Sequence, residues 1–149
     1  VFLNEGGCVS CHSGPLFTDF QYYNLSREEV RSDGTRADEG RYIITGDEAD
    51  RGKFLTPTLR SVAMTAPYFH NGLERSLRRV IAHITGPEGK NDPLHAPVLD
   101  TLTPLSEEDT DALVEFIKAL TGKMPPSNLF LVPPEDLPDL DIAPIGVAL

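Results

Sequence analysis

Cysteine is scarce in this 149-residue sequence, with only Cys8 and Cys11 present, and that scarcity excludes several chemistries. A structural zinc site normally takes four Cys or His ligands in two separated pairs, and no third cysteine is there to complete one. No disulfide framework follows from two thiols so closely spaced. A thioredoxin-like redox pair belongs at the head of a helix inside a βαβ pattern, which the sequence does not carry. Long apolar runs are also missing. None reaches the roughly 18 to 20 residues that a membrane span requires, so direct membrane insertion is not expected. Cations are outnumbered, with 13 Lys and Arg against 23 Asp and Glu and a formal net charge of -10. Nucleic-acid phosphates want the opposite balance, so the acidity suits a cationic protein partner or plain solubility. No secretion signal opens the chain. Val1-Phe2-Leu3-Asn4-Glu5 reads instead as the end of a helix already under way, as if the sequence began inside a longer precursor.

What is there is the run Cys8-Val9-Ser10-Cys11-His12. C-x-x-C-H is the spacing at which two thiols and an imidazole hold one haem covalently. On a single helical turn, thiols three apart reach the two vinyl groups of one porphyrin while the next imidazole points at the iron. Cys8 and Cys11 are therefore the expected thioether positions and His12 the proximal ligand of one covalent haem c.

The organisation around this motif predicts an all-α, cytochrome c-like helical domain with long loops and an extended Pro-rich tail. The opening segment is expected to be helical through Gly14, with Ser13-Gly14-Pro15 as its break. From Phe17 to about Lys53 neither a 3.6 nor a 2.0 period is sustained, which reads as a long loop region wrapped over the haem edge. Thr56-Pro57-Thr58-Leu59 signals a helix start carrying Leu59 to Met64, ended by Pro67. Ser76 caps a helix with Leu77, Val80, Ile81 and Ile84 on one side, stopped by Gly86-Pro87. The clearest helix starts at Ser106-Glu107-Glu108-Asp109, with Leu113, Phe116, Ile117 and Leu120 as its apolar stripe and Gly122 as the C-cap. It is expected to cross the amino-terminal haem helix. Residues 1–123 thus form the haem domain and 124–149 an extended Pro and acidic tail, which Phe130, Leu131 and Val132 would anchor. There are no internal repeats.

Further segments carry a resemblance. They are Gly40-Arg41-Tyr42, Thr45-Gly46-Asp47, Arg51-Gly52-Lys53-Phe54, Thr56-Pro57-Thr58-Leu59-Arg60-Ser61-Val62-Ala63, Thr65-Ala66-Pro67-Tyr68-Phe69-His70-Asn71-Gly72, and the closing Leu120-Thr121-Gly122. In these the chain resembles the carboxy-terminal haem domain of bacterial di-haem cytochrome c peroxidases and MauG-like proteins. That resemblance implies a low-spin haem that passes electrons, beside a separate amino-terminal haem domain that reacts with peroxide or a protein substrate. The second domain is absent from this sequence.

The resemblance also locates a departure. The family's distal ligand, Met or Tyr, falls by register on Ile84, which cannot bind iron. His83 sits immediately before it and becomes the candidate distal ligand, reached by a one-residue rotation of the helix. Met64 is the alternative and His95 a third, with a five-coordinate iron remaining open. Ligation decides reactivity, since a six-coordinate iron leaves no open site for peroxide. Thr65 and Pro67 match positions whose backbone carbonyls hold calcium in the resembled proteins, a site that would lack its remaining ligand here. A turn after a helix explains the same residues. His70 resembles a histidine near the haem surface, and Arg41, Arg51, Lys53 and Arg60 are the cations available to haem propionates.

The expected function is single-electron transfer by a mono-haem c-type domain between redox protein partners, a second haem domain or subunit included. A peroxidase-type enzyme completed by the missing domain is the second expectation, and a haem-based sensor or assembly subunit the third. Covalent haem attachment implies maturation outside the bacterial cytoplasm, so a periplasmic location is expected.

Overall fold

The structure, a computed structural model, describes residues 1–27 and 30–122. The expected tail 124–149 and its anchors lie outside those residues. The described chain holds three α-helices and one small sheet, joined by loops and short 3-10 turns. It is a helix-containing fold with little sheet.

The two long helices form where local signals are strongest. Ser76 accepts a hydrogen bond from the Arg79 amide and opens the helix Leu77–Thr85, called α2 below, after the single-turn α1 at Tyr42–Thr45. It stops at Gly86, in extended conformation ahead of Pro87. Ser106 caps α3, Glu107–Ala119, by accepting from the Asp109 amide, and its hydroxyl donates to Asp109 Oδ2 at 2.7 Å. Three acidic residues in that first turn oppose the helix dipole. Helices α2 and α3 pack through Ile81, Leu113 and Ile117, with Val1, Phe2, Cys8, Val62 and Leu77 around them. Arg78 ties the same pair at the surface by bridging to Glu107 and Asp111. A second apolar cluster of Ala96, Leu99 and Leu102 takes Tyr23, Leu25 and Ile84 onto its flank.

Several expectations change. The opening segment is a 3-10 turn, Cys8–Ser10, rather than a helix, because Gly7 is left-handed at φ 58 and breaks any helix entering from Val1. The run after Thr56 shortens to a 3-10 turn, Val62–Met64, since Ser61 is itself at φ 59. Helix α3 ends at Ala119 with Leu120 as its C-cap, two residues before the expected Gly122. It meets the amino-terminal segment through Phe116, whose ring lies 4.9 Å from that of Phe2. The long loop region contains β1 (Tyr22–Tyr23), paired antiparallel with β2 (Phe54–Leu55), as well as α1.

What organises that loop region is buried charge. Arg36 donates to Asp92 through Nε at 2.7 Å and Nη2 at 2.6 Å, with side chains only 2% and 1% exposed. Asp92 also accepts from Asn24 Nδ2 at 2.9 Å and from the Leu94 amide at 2.8 Å, and its own amide donates to Ser26 Oγ. Gly52 is required beside this cluster, because a Cβ there would stand 2.8 Å from Asn24 Nδ2 at a φ of +71. Burial pushes the Asp92 carboxyl up, but Arg36, Asn24 and the Leu94 amide outweigh it and hold it below its ordinary value. A depressed carboxylate stabilises the fold above its unfolded pKa and loses that contribution as pH falls. We expect Asp92→Ala, which leaves the Arg36 charge buried, to cost about 3 to 5 kcal/mol in urea denaturation at neutral pH. The difference between variant and parent should shrink progressively below about pH 4.

Candidate haem centre

Gly7 turns the chain left-handed and lies so close to Leu102 that a Cβ would stand 2.4 Å from its Cδ2. The chain then closes one tight turn. The amides of Cys11 and His12 both donate to the Cys8 carbonyl, at 3.3 and 2.8 Å, so Cys8, Cys11 and His12 share a single turn as the motif requires. Both thiols are free and half-buried. Burial pushes the Cys8 thiol up. Burial and then the Asp19 carboxylate push Cys11 up to about 11, so both are thiols at neutral pH.

His12 is anchored from the loop that follows. Its Nδ1 donates to the Phe17 carbonyl at 2.9 Å, which gives the ring the tautomer whose Nε2 carries the lone pair. Burial lowers its pKa more than the Phe17 carbonyl, Asp19 and the neighbouring Pro57 carbonyl raise it. The imidazole is therefore neutral, the form that binds a metal. The Phe17 carbonyl is in turn fixed by a set of bonds across the loop. The Phe17 amide donates to Gly14 O, Thr18 to Ser13 O and Asp19 to Cys11 O. Arg60 clamps the outside, donating to the Pro15 carbonyl through Nε at 2.9 Å and Nη2 at 2.7 Å. Inside, Thr18 Oγ1 donates to the Thr56 carbonyl at 2.7 Å, and the Phe17 ring meets Phe2 and Phe116 edge-on.

These residues fit a covalent haem by the chemistry of the donor set: two unbridged thiols and one neutral imidazole with a free nitrogen on one turn. Leu16, Phe20 and Leu55, which belong to this loop or to the strand beside it, are 51%, 57% and 46% exposed in the protein alone. That is the apolar surface a porphyrin would cover.

The remaining candidates are placed differently. His83, half-buried on α2, donates from Nε2 to the Leu25 carbonyl at 2.7 Å, and its ring meets Phe69 edge-on at 5.2 Å. Ile84 packs on the Ala96, Leu99 and Leu102 cluster. Met64 is 58% exposed. His95 faces the Asp92 carbonyl with Nδ1 at 2.7 Å and Asp100 Oδ1 with Nε2 at 2.8 Å, so both nitrogens are engaged. Thr65 and Pro67 are exposed, with Thr65 Oγ1 turned back to the Val62 carbonyl. Among the described residues no group of three or more His, Cys, Asp or Glu side chains is placed to hold a metal, so a calcium ion there would rest on backbone carbonyls. His70 stacks flat on Phe54 at 3.5 Å. Of the four loop cations, Arg41 and Lys53 pair with Asp50, and Arg51 pairs with Glu39 and Glu48. Sequence reasoning missed Asp19, Tyr23, Arg36 and Asp92. Asp19 and Asp92 left a local signal, Asx turns in which they accept from the Gln21 and Leu94 amides.

No protein-family model matches the chain. Among curated proteins it is 35% identical over 146 residues to the cytochrome-c peroxidase IdrP2 of Denitromonas iodatirespirans, covering 83% of this chain and 38% of that protein. It is 30% identical over 130 residues to the cytochrome c551 peroxidase of Nitrosomonas europaea, covering 87% of this chain and 35% of that one. Among solved structures it superposes on a MauG-like protein associated with microbial copper homeostasis with a TM-score of 0.73 at 26% identity, over 82% of this chain and 45% of that one. The chain thus spans well under half the length of the relatives it matches.

The geometry at His95 makes a measurable statement. The Asp100 carboxylate first, and then the Asp92 carbonyl, raise its pKa against the opposing effect of burial. A raised histidine stabilises the fold below its unfolded pKa and loses that contribution as pH rises through the folded one. An NMR titration of the His95 ring should give a midpoint above 6.5, and Asp100→Asn should bring it down.

Proposed function

Because the chain belongs to the bacterial di-haem cytochrome c peroxidase and MauG-like family, we propose that it is a mono-haem c-type domain that passes single electrons. In this reading the peroxide chemistry lies in the part of the longer relatives that the chain does not span. The observation that carries it is the single turn bearing Cys8, Cys11 and His12, with His12 Nδ1 anchored on the Phe17 carbonyl.

The haem, when bound, supplies an iron that cycles between two oxidation states one electron at a time. The chain supplies everything around it. Cys8 and Cys11 would hold the haem through two thioethers to its vinyl groups. His12 offers Nε2 as the proximal ligand, and the bond to Phe17 O keeps the ring from turning. Phe2, Phe17 and Phe116 pack against one another beside the loop that follows the turn. For the distal position two candidates remain: His83, by exchanging the Leu25 carbonyl for iron, and Met64, whose thioether is uncommitted. His95 is set aside because both its nitrogens are engaged. The carbonyls of Thr65 and Pro67 are proposed as a partial calcium shell that a further domain completes. Donor and acceptor are redox proteins, a second haem domain among them, and the formal charge of -10 favours a cationic surface on one of them. Covalent haem attachment places the protein in the periplasm, and no helix among the described residues is long and apolar enough to cross a membrane.

A second reading is favoured by the relatives being cytochrome c peroxidases: the chain would be one domain of such an enzyme. Expressed with a periplasmic haem-ligation system, the chain should gain the mass of one haem and give a pyridine haemochrome spectrum. It should show one reversible one-electron wave and no turnover with hydrogen peroxide. Both thiols recovered unmodified would overturn the assignment, and peroxide turnover by the chain alone would favour the enzyme. The near-infrared magnetic circular dichroism band of the ferric protein separates bis-His from His/Met ligation. Loss of that band in His83→Ala identifies His83 as the distal ligand, and its survival assigns the position to Met64.

A further inference from the structure

We propose that Asp19, held in place by the Tyr23 hydroxyl, sets the electrostatic field at the haem attachment turn and holds the iron toward its ferric state. This inference rests on the reading of Cys8, Cys11 and His12 as the haem-binding residues.

The geometry that supports it is local and complete. The Asp19 amide donates to the Cys11 carbonyl at 2.9 Å, so the residue is attached to the motif itself. Its carboxylate is then fixed at both oxygens. Oδ1 accepts from the Gln21 amide at 2.9 Å, and Oδ2 accepts from the Tyr23 hydroxyl at 2.7 Å. Tyr23 is held by its own surroundings, on β1 and against the Ala96, Leu99 and Leu102 cluster. A carboxylate gripped in this way cannot swing into solvent without breaking two bonds.

The charge is real at neutral pH. Burial works against it, but the Gln21 amide and the Tyr23 hydroxyl outweigh burial and hold the carboxyl below its ordinary value. The response of Tyr23 is the mirror image: bonded to Asp19 and partly buried, its phenol is pushed up to about 12 and stays protonated. The charge sits at the attachment turn because the Asp19 backbone is bonded directly to the Cys11 carbonyl and the Tyr23 hydroxyl holds its carboxylate in place. Arg60 is bonded to the Pro15 carbonyl on the outer side of the same loop, with its guanidinium 5.2 Å from the Phe17 ring. A fixed negative charge near iron stabilises the higher oxidation state, because the ferric centre carries one more positive charge than the ferrous. Asp19 is therefore a positioning and tuning residue that touches neither iron nor substrate.

A purely structural role for the same residue, as the head of an Asx turn, makes a different prediction. Asp19→Asn keeps the acceptor for the Gln21 amide and removes the charge, while Tyr23→Phe keeps the ring and removes the hydroxyl. Midpoint potentials of the full haem-loaded chain, measured by spectroelectrochemistry, should move positive in D19N. In Y23F they should move negative, because the carboxylate loses the dipole that partly neutralises it. Asp33→Asn, which alters a carboxylate bonded to Thr35 in its own loop, should leave the potential unchanged. No shift in D19N, a negative shift there, or shifts of the same sign in D19N and Y23F would overturn the proposal. A chain recovered without covalent haem would overturn the reading of the site and this inference together, whereas equal potentials in haem-loaded proteins would overturn this inference alone.

Discussion

The hydrogen bond from His12 Nδ1 to the Phe17 carbonyl is the constraint on which the site depends. A histidine at the end of a C-x-x-C-H turn is free to rotate about two side-chain bonds, and only one orientation presents Nε2 to an iron atom between two thioethers. The carbonyl fixes both the rotation and the tautomer. It does so only because the loop after the motif is itself rigid, clamped by Arg60 outside and by Thr18 to Thr56 inside. The segment around Thr56 and Arg60, 38 and 45 residues from its partners Thr18 and Pro15, thus serves the turn without contributing to it. Its role is to hold the loop that holds the histidine.

Buried charge plays the matching part in the loop region. A Pro- and Gly-rich chain with short helices has little apolar burial to spend on ordering its loops, and the buried core side chains are few. The Arg36–Asp92 pair, with Asn24, Ser26 and the Leu94 amide around it, links the loops it joins through a shared set of hydrogen bonds. Such a pair contributes less by attraction than by the penalty for any arrangement that leaves one partner buried alone. It specifies how the loops meet. The other loop cations are consumed in the same manner, which leaves Arg60 as the cation attached to the haem turn itself.

How much of this the sequence discloses follows from the range of each interaction. The caps at Ser76 and Ser106 and the stripe of Leu113 and Ile117 are local, within one or two helical turns, and the structure has them where the pattern places them. The turn that brings Cys8, Cys11 and His12 together is local too, and the structure closes it where the C-x-x-C-H spacing places it. The amino-terminal helix fails for an equally local reason, Gly7, whose left-handed turn makes room for Leu102. That steric demand comes from a residue far along the chain. Arg36 and Asp92 are 56 residues apart, and nothing in either neighbourhood marks them as partners. Asp19 lies between these extremes: its turn is legible, but its tie to Tyr23 and its field at Cys11 require the strand pairing.

The same distinction bears on the distal side. A one-residue rotation of α2, which would carry position 83 to where position 84 now faces, turns the helix by about 100°. Ile81 is 6% exposed and packed with Leu113 and Ile117, while Ile84 fills the flank of the second cluster. That rotation would expel Ile81 from the first cluster and replace an isoleucine with an imidazole in the second, two losses for one ligand. The phase of α2 is therefore locked by its apolar residues. Any coordination by His83 has to come from motion of its side chain away from Leu25, with the helix left as it stands.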